Sequence, residues 1–153
     1  MIDANKQALE MGYDYAKEHF DCPLPFKAVA SDKTKDYFII DGNATSALGC
    51  VYAGATVGSW YPITPSTSLM DAFSRYCANF RVDEKTKKNN YSVIQAEDEL
   101  AAIGMALGAG WNGARSFTPT SGPGISLMNE FIGFGYYAEI PTVIFDVQRT
   151  GPS

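Results

Sequence analysis

A single histidine and three cysteines are all that 153 residues hold of the side chains most often used as general bases, thiol nucleophiles or soft metal ligands. A Ser-His-Asp or Cys-His system would have to be built on His19, which sits among the acids and lysines of the N-terminal stretch, so that chemistry is set aside. Cys22, Cys50 and Cys77 are far apart, odd in number and form no C-x-x-C pair. That excludes a disulfide framework and a zinc or iron–sulfur site held within this chain, and it fits a reducing cytoplasm. No apolar run approaches the length of a transmembrane helix, and the N-terminus lacks the basic and apolar regions of a signal peptide. With 12 basic against 17 acidic side chains and no basic patch interleaved with aromatics, nucleic acid is not expected as a partner. There is no G-x-x-x-x-G-K-[ST] loop, and no clean G-x-G-x-x-G follows the first β-like run.

Charge is also scarce in the last third of the sequence. From Leu100 to Ser153 only Arg115, Glu130, Glu139, Asp146 and Arg149 are charged. Immediately before that stretch stand three acids, Glu97, Asp98 and Glu99. Acids in the first turn of a helix complement the macrodipole, which is the plain reading of all three. An ionisable group at the mouth of so apolar a segment is also where desolvation shifts carboxylate pKa values, and Glu97 is the one expected to be used that way.

The remaining length suits one core-forming domain preceded by an arm. Residues 1–38 read as a linker arm: seven acids, five lysines and a single glycine within the first 36 residues, and one amphipathic helix over Asn5–Phe20 stopped by Cys22-Pro23-Leu24-Pro25. From Tyr37 onward β-like and helical stretches alternate. Strands are expected at Tyr37–Ile40, Val57–Tyr61, Tyr91–Gln95, Ala114–Thr118 and Thr142–Val147, the last fully buried. Helices are expected at Asn43–Ala55, Pro65–Asn79, Glu97–Trp111 and Gly124–Tyr137. Such alternation implies an α/β fold, a three-layer α/β/α sandwich around a parallel sheet.

In that fold, ligands collect at the carboxyl ends of the strands. Those ends carry Tyr61-Pro62-Ile63-Thr64-Pro65, Gln95-Ala96-Glu97, Thr118 to Gly124 and Gln148-Arg149-Thr150-Gly151. Thr120, Ser121 and Gly122 offer hydroxyls and backbone amides at a helix start, either as a seat for a polar ligand or as an ordinary capped turn. Arg149 follows an apolar strand and suits a carboxylate, the alternatives being an ion pair with Asp146 or a plain surface position. Arg115 lies at the opposite edge and reads as structural. Gly104 and Gly108, one turn apart, read as close helix packing, and Asp41-Gly42-Asn43 as a strand-end turn.

Taken in order, Gly42-Asn43-Ala44, Tyr61-Pro62-Ile63-Thr64-Pro65-Ser66-Thr67, Gln95-Ala96-Glu97-Asp98-Glu99, Thr120-Ser121-Gly122-Pro123-Gly124, Glu139-Ile140-Pro141 and Asp146 to Ser153 closely resemble the alpha subunit of 2-oxoacid:ferredoxin oxidoreductases, the 2-oxoglutarate type in particular. The resemblance covers about residues 39–153. Residues 1–38 resemble the arm joining a preceding gamma-type domain, and the chain resembles a piece of a longer subunit. It implies the domain that holds the aminopyrimidine of thiamine diphosphate. Glu97 would face the pyrimidine ring nitrogen, favouring the imino tautomer whose 4'-nitrogen removes the thiazolium C2 proton. Thr64 and Arg149 would bind the 2-oxoacid, with Thr120, Ser121 and Gly122 beside the cofactor.

The same resemblance puts the magnesium and the iron–sulfur cluster on a beta subunit, with ferredoxin and coenzyme A as co-substrates of a hetero-oligomer; no metal is expected on this chain. It implies half an active site, inactive alone. Pyruvate or branched-chain 2-oxoacids are the alternative substrates, and a non-catalytic α/β ligand-binding module is the alternative function.

Overall fold

A computed structural model of the chain describes residues 2–21 and 23–149. Cys22 and the Thr150-Gly151-Pro152-Ser153 end of the last motif lie outside the described residues. The chain divides into two compact units, Met1–Phe38 and Ile39–Ser153.

The first unit carries helix α1, Ile2–His19, and a short 3-10 turn at Asp32–Thr34 capped by Ser31. The apolar positions Leu9, Met11, Tyr15 and Phe20 do follow helical spacing, but no residue of α1 is buried. His19 stacks on Tyr15 at a ring separation of 4.1 Å, and its Nδ1 donates to the Tyr15 carbonyl at 2.9 Å. The lone histidine is thus occupied by its own helix.

In the second unit, helices α2 (Gly42–Tyr52), α3 (Thr67–Phe80), α4 (Glu99–Trp111) and α5 (Gly122–Tyr137) accompany strands β1 (Val57–Trp60), β2 (Ser92–Gln95), β3 (Ser116–Thr120) and β4 (Val143–Asp146). All pairings are parallel and the strand order is β2-β1-β3-β4. The expected α/β fold with a covered parallel sheet is what forms. One face packs against α2 and α3 through Ala47, Leu69, Met70, Phe73, Cys77 and Phe117, with Phe73 and Phe117 edge to face at 4.8 Å. The other packs against α4 and α5 through Ile103, Leu107 and Met128.

Two serines fasten α4 to the sheet. Ser59 Oγ donates to the Ala102 carbonyl and Ser116 Oγ to the Ala106 carbonyl, each at 2.6 Å. Both hydroxyls are buried, so each bond removes a polar group that would otherwise be left without a partner. Gly104 faces α5 with the Phe131 ring 3.0 Å from where a β-carbon would lie, as close helix packing requires. Gly108 does not: the space around it is open.

Several expected elements differ. Tyr37–Ile40 is not a strand; Tyr37, Phe38 and Ile39 are fully open to solvent. Without a neighbouring strand its β propensity has no ladder to join. Asp41 accordingly ends no strand. Its carboxylate accepts the Ala44 N–H at 2.8 Å and caps α2. β3 runs two residues later than expected because Pro119 is tolerated inside it: pairing with β1 stops at Phe117, so the missing N–H costs no bond on that side. β4 is half-buried rather than fully buried, being an outer strand of the sheet. Arg115 is structural, its guanidinium donating to the Ala53 carbonyl beyond the end of α2.

Candidate active site

Because every pairing is parallel, the carboxyl ends of β1, β2, β3 and β4 share one edge. The chain leaves β1 through α3 toward β2 on one side and leaves β3 through α5 toward β4 on the other, so the strand order reverses between β1 and β3. That is where an open α/β sheet forms a ligand crevice. The connection after β1 carries Thr64, and the one after β3 carries Ser121 and Gly122; the two flank the reversal.

Thr64 sits in the connection from Tyr61 to Ser66. The Ile63 carbonyl there accepts both the Ser66 N–H at 2.9 Å and the Ser66 hydroxyl at 3.0 Å. Ser66 is the residue before α3, but its hydroxyl is spent on Ile63 and does not cap the helix. Thr64 itself is exposed.

At the end of β2 the Ala96 N–H donates to the Trp60 carbonyl at 2.7 Å, closing the ladder with β1. The three acids that follow take three different positions. Glu97 is exposed. Asp98 caps α4, its carboxylate accepting the Ala101 N–H at 2.6 Å, as the plain reading held. Glu99 begins the helix and is only 8% exposed, lying against Gly124. Of the three acids it is therefore Glu99 that is buried within this chain. The reason is that α4 starts at Glu99, which turns that side chain under α5, while Glu97 stays in the open connection.

β3 ends at Thr120, 1% exposed, and Ser121 stands before α5. The Ser121 hydroxyl makes no capping bond, so it is not consumed by the helix it precedes. A β-carbon on Gly124 would lie 1.9 Å from Thr120 Oγ1, so glycine alone fits there. Gly122 is likewise hemmed in by Gln148, 2.9 Å from the same hypothetical atom.

Just past β4 the Val147 N–H donates to the Thr120 carbonyl at 2.8 Å, and Arg149 lies two residues further on, exposed. From β2 to β4 is three strand spacings, ~14 Å at the usual ~4.8 Å each. Glu97 and Arg149 thus stand on opposite flanks of the edge, with the Thr64 connection and the Ser121 ledge between them. Such a gap suits a bound molecule better than a direct ion pair. Sequence reasoning passed over two participants. Gln148 takes up the Asp146 carboxylate, and Asn43 reaches the Thr64 connection from α2. Only the place of Asn43 in the Gly42-Asn43-Ala44 motif could have flagged it.

The sequence profile described as pyruvate flavodoxin/ferredoxin oxidoreductase, thiamine diP-bdg, matches residues 48–153. The chain belongs to this family. It is 45% identical over 114 residues to the 2-oxoglutarate synthase subunit KorA of Methanocaldococcus jannaschii, covering 74% of the chain and 29% of that protein. It is 38% identical over 160 residues to the 2-oxoglutarate oxidoreductase subunit KorA of Mycobacterium tuberculosis, covering 100% of the chain and 23% of that protein. Among solved structures it resembles the 2-oxoglutarate:ferredoxin oxidoreductase from Magnetococcus marinus with 2-oxoglutarate, coenzyme A and succinyl-CoA bound. The TM-score is 0.71 at 36% identity, over 97% of this chain and 24% of that one. The chain thus spans about a quarter of the length of these relatives. Among the described residues no helix is long and apolar enough to cross a membrane, and no group of three or more His, Cys, Asp or Glu could hold a metal ion.

The thiamine diphosphate implied by the family fits the residues at this edge. An exposed carboxylate, an uncapped hydroxyl and a glycine ledge are what an aminopyrimidine ring needs for one charged hydrogen bond and a close backbone approach.

Proposed function

We propose that this chain is the pyrimidine-binding part of the alpha subunit of a thiamine-diphosphate-dependent 2-oxoacid:ferredoxin oxidoreductase. The reaction is oxidative decarboxylation of 2-oxoglutarate to succinyl-CoA, with electrons passed to ferredoxin. The observation that carries the reading is the placement of Thr64, Glu97, Ser121, Gly122 and Arg149 on the one carboxyl edge of the sheet, around the reversal of strand order, in a chain of this family.

When bound, thiamine diphosphate supplies a carbanion equivalent at its thiazolium carbon and an electron sink for decarboxylation. Glu97 holds a proton at the pyrimidine ring nitrogen. It is exposed on this chain, and a partner surface closing over it lowers the local dielectric and strengthens that hydrogen bond. Ser121 and Gly122, with Thr120 beneath them, orient the ring. The Thr64 hydroxyl donates to the 2-oxoacid, and the planar Arg149 fork takes its carboxylate. Magnesium, the iron–sulfur cluster and the diphosphate site belong to a beta subunit. Ferredoxin and coenzyme A are co-substrates of that hetero-oligomer, and its place is the cytoplasm.

The test is reconstitution. The full-length alpha chain is combined with its beta partner, and 2-oxoglutarate-dependent reduction of ferredoxin or viologen is followed, with pyruvate and a branched-chain 2-oxoacid in parallel. Glu97→Gln lowers the rate by about 10²–10⁴-fold, the usual worth of a positioned proton-transfer group. Undiminished activity in Glu97→Gln overturns the assignment of that residue. Preference for pyruvate overturns the choice of substrate.

A further inference from the structure

Helix α2 carries a side chain that does nothing for α2. Asp41 already caps the helix by accepting the Ala44 N–H. Asn43, in the first turn, instead sends its amide across to the next connection. Its Nδ2 donates to the Pro65 carbonyl at 2.9 Å and to the Ser68 hydroxyl at 2.7 Å. Both N–H bonds of that amide are spent on a segment 22–25 positions away in sequence.

That segment holds Thr64. On its N-terminal side the Ile63 carbonyl is tied down from within, by the backbone N–H groups of Ser66 and Thr67 and by their hydroxyls at 3.0 and 3.3 Å. On its C-terminal side the Pro65 carbonyl precedes α3 and takes no backbone N–H among the described residues, the Leu69 N–H going to Ser66 instead, and the Ser68 hydroxyl reaches it only at 3.5 Å. The Asn43 amide is its good donor. Thr64 is therefore held between two anchored carbonyls, one fixed locally and one fixed from α2, with its own side chain exposed at the carboxyl edge.

We infer that Asn43 is a positioning residue: through Pro65 and Ser68 it sets the height and direction of Thr64 against the 2-oxoacid. The inference rests on the assignment of Thr64 to the substrate. It gives the Gly42-Asn43-Ala44 motif a task that neither cofactor nor substrate contact explains. Asn suits it because the short planar amide offers two N–H donors in a fixed fork, while Asp at the same place offers none.

The experiment uses the reconstituted complex of full-length alpha chain and beta partner. KM for the 2-oxoacid, KM for coenzyme A and kcat are measured for Thr64→Ala, Asn43→Asp, Asn43→Ala, Ser68→Ala and the double variant Asn43→Asp/Thr64→Ala. Asn43→Asp and Asn43→Ala are expected to lower kcat/KM for the 2-oxoacid about tenfold, in line with losing two hydrogen bonds that hold a loop. KM for coenzyme A should stay unchanged. Ser68→Ala, which removes one exposed acceptor, should show a smaller loss in the same parameter. In the Thr64→Ala background the Asn43→Asp change should add almost nothing, since the residue it positions is gone.

Additive losses in the double variant, or equal changes in both KM values, would mean that Asn43 merely stabilises the fold, and the inference falls alone. No effect of Thr64→Ala on the 2-oxoacid removes the underlying assignment and the inference with it. Should Asn43→Ala yield too little folded complex, Asn43→Asp and Ser68→Ala carry the same comparison.

Discussion

Gln148 Nε2 donates to both carboxylate oxygens of Asp146, at 3.0 and 2.8 Å. The acid nearest in sequence to Arg149 is thereby engaged by a neutral amide, and Arg149 stands exposed at the strand edge. Of the three roles open to Arg149, carboxylate binding, a surface position and an ion pair with Asp146, the ion pair is the one this geometry disfavours.

Arg149→Ala in the reconstituted enzyme should therefore cost substrate binding more than folding. A hydrogen bond to a charged group is worth roughly 1.5–3 kcal/mol, or about 10–150-fold in KM for the 2-oxoacid. Arg149→Lys should recover only part of it, because an ammonium cannot reproduce the two-pronged grip on a carboxylate. Steady-state kinetics on both variants decide the matter; a wild-type KM in Arg149→Ala would falsify the clamp.

Gly124→Ala should be among the most damaging methyl additions in this chain. The new atom would stand 1.9 Å from Thr120 Oγ1 and 3.0 Å from Glu99 Cγ, both on buried side chains. Relieving such an overlap typically costs about 1–3 kcal/mol. A lower unfolding midpoint should come with weakened thiamine diphosphate binding, measurable by tryptophan fluorescence, since α5 and the Ser121 ledge must move together. Gly108→Ala, in open space inside α4, serves as the control: it should leave thiamine diphosphate binding unchanged and raise the unfolding midpoint slightly, Ala being the better helix former.

The thiols of the α2–α3 core should be poor nucleophiles. Burial, with the neighbouring Cys77 adding to it, pushes Cys50 up to about 11 from 9.0, and burial raises Cys77 as well, opposed by Arg81. A raised thiol pKa favours the folded state while the thiol stays protonated. The stabilisation is present below pH 9 and is lost as pH climbs toward 11. Alkylation by iodoacetamide at pH 8 should leave Cys50 and Cys77 unmodified in the native protein, and unfolding midpoints should fall above pH 9. Replacing both by Ala should weaken that alkaline dependence.

Asp83 responds in the opposite sense. The backbone and hydroxyl of Thr86 donate to its carboxylate at 2.6 and 2.8 Å, and together with Lys85 they hold its pKa below the ordinary 3.8. The turn from Asp83 to Lys88 is thus tightened above that value and loosens as pH falls through the lowered one. Amide exchange of Thr86, followed by NMR and divided by the intrinsic rate at each pH, should become less protected in acid. In Asp83→Asn it should be faster at neutral pH and lose much of its acid dependence, with no effect on 2-oxoacid turnover.

The fold was legible where periodicity and burial agree. The apolar runs ending in Gln95 and Asp146 read as strands and are strands. Tyr37–Ile40 has the same composition and is not one, because a strand is a property of two segments and the sequence displays only one at a time. The site was legible as an edge. Thr64, Glu97, Ser121 and Arg149 share it because parallel strands put all their carboxyl ends together. Which of two acids turns inward was not legible: Glu97 and Glu99 differ by two positions, and the first residue of α4 decides between them. Nor was the reach of Asn43, since nothing local announces a side chain whose partners lie on the next helix.

The two serine hydroxyls that hold α4 have a mechanical consequence. Ala102 and Ala106 lie one turn apart, so Ser59 and Ser116 bolt the helix to two different strands at two heights. A helix pinned once can pivot; pinned twice, it can neither swing nor slide. Sliding by a single residue would shift it ~1.5 Å along its axis and break both bolts at once. The edge that carries Glu97 is therefore built on a fixed bearing. Any shift of α4 against β1 or β3 must break at least one of these two bonds.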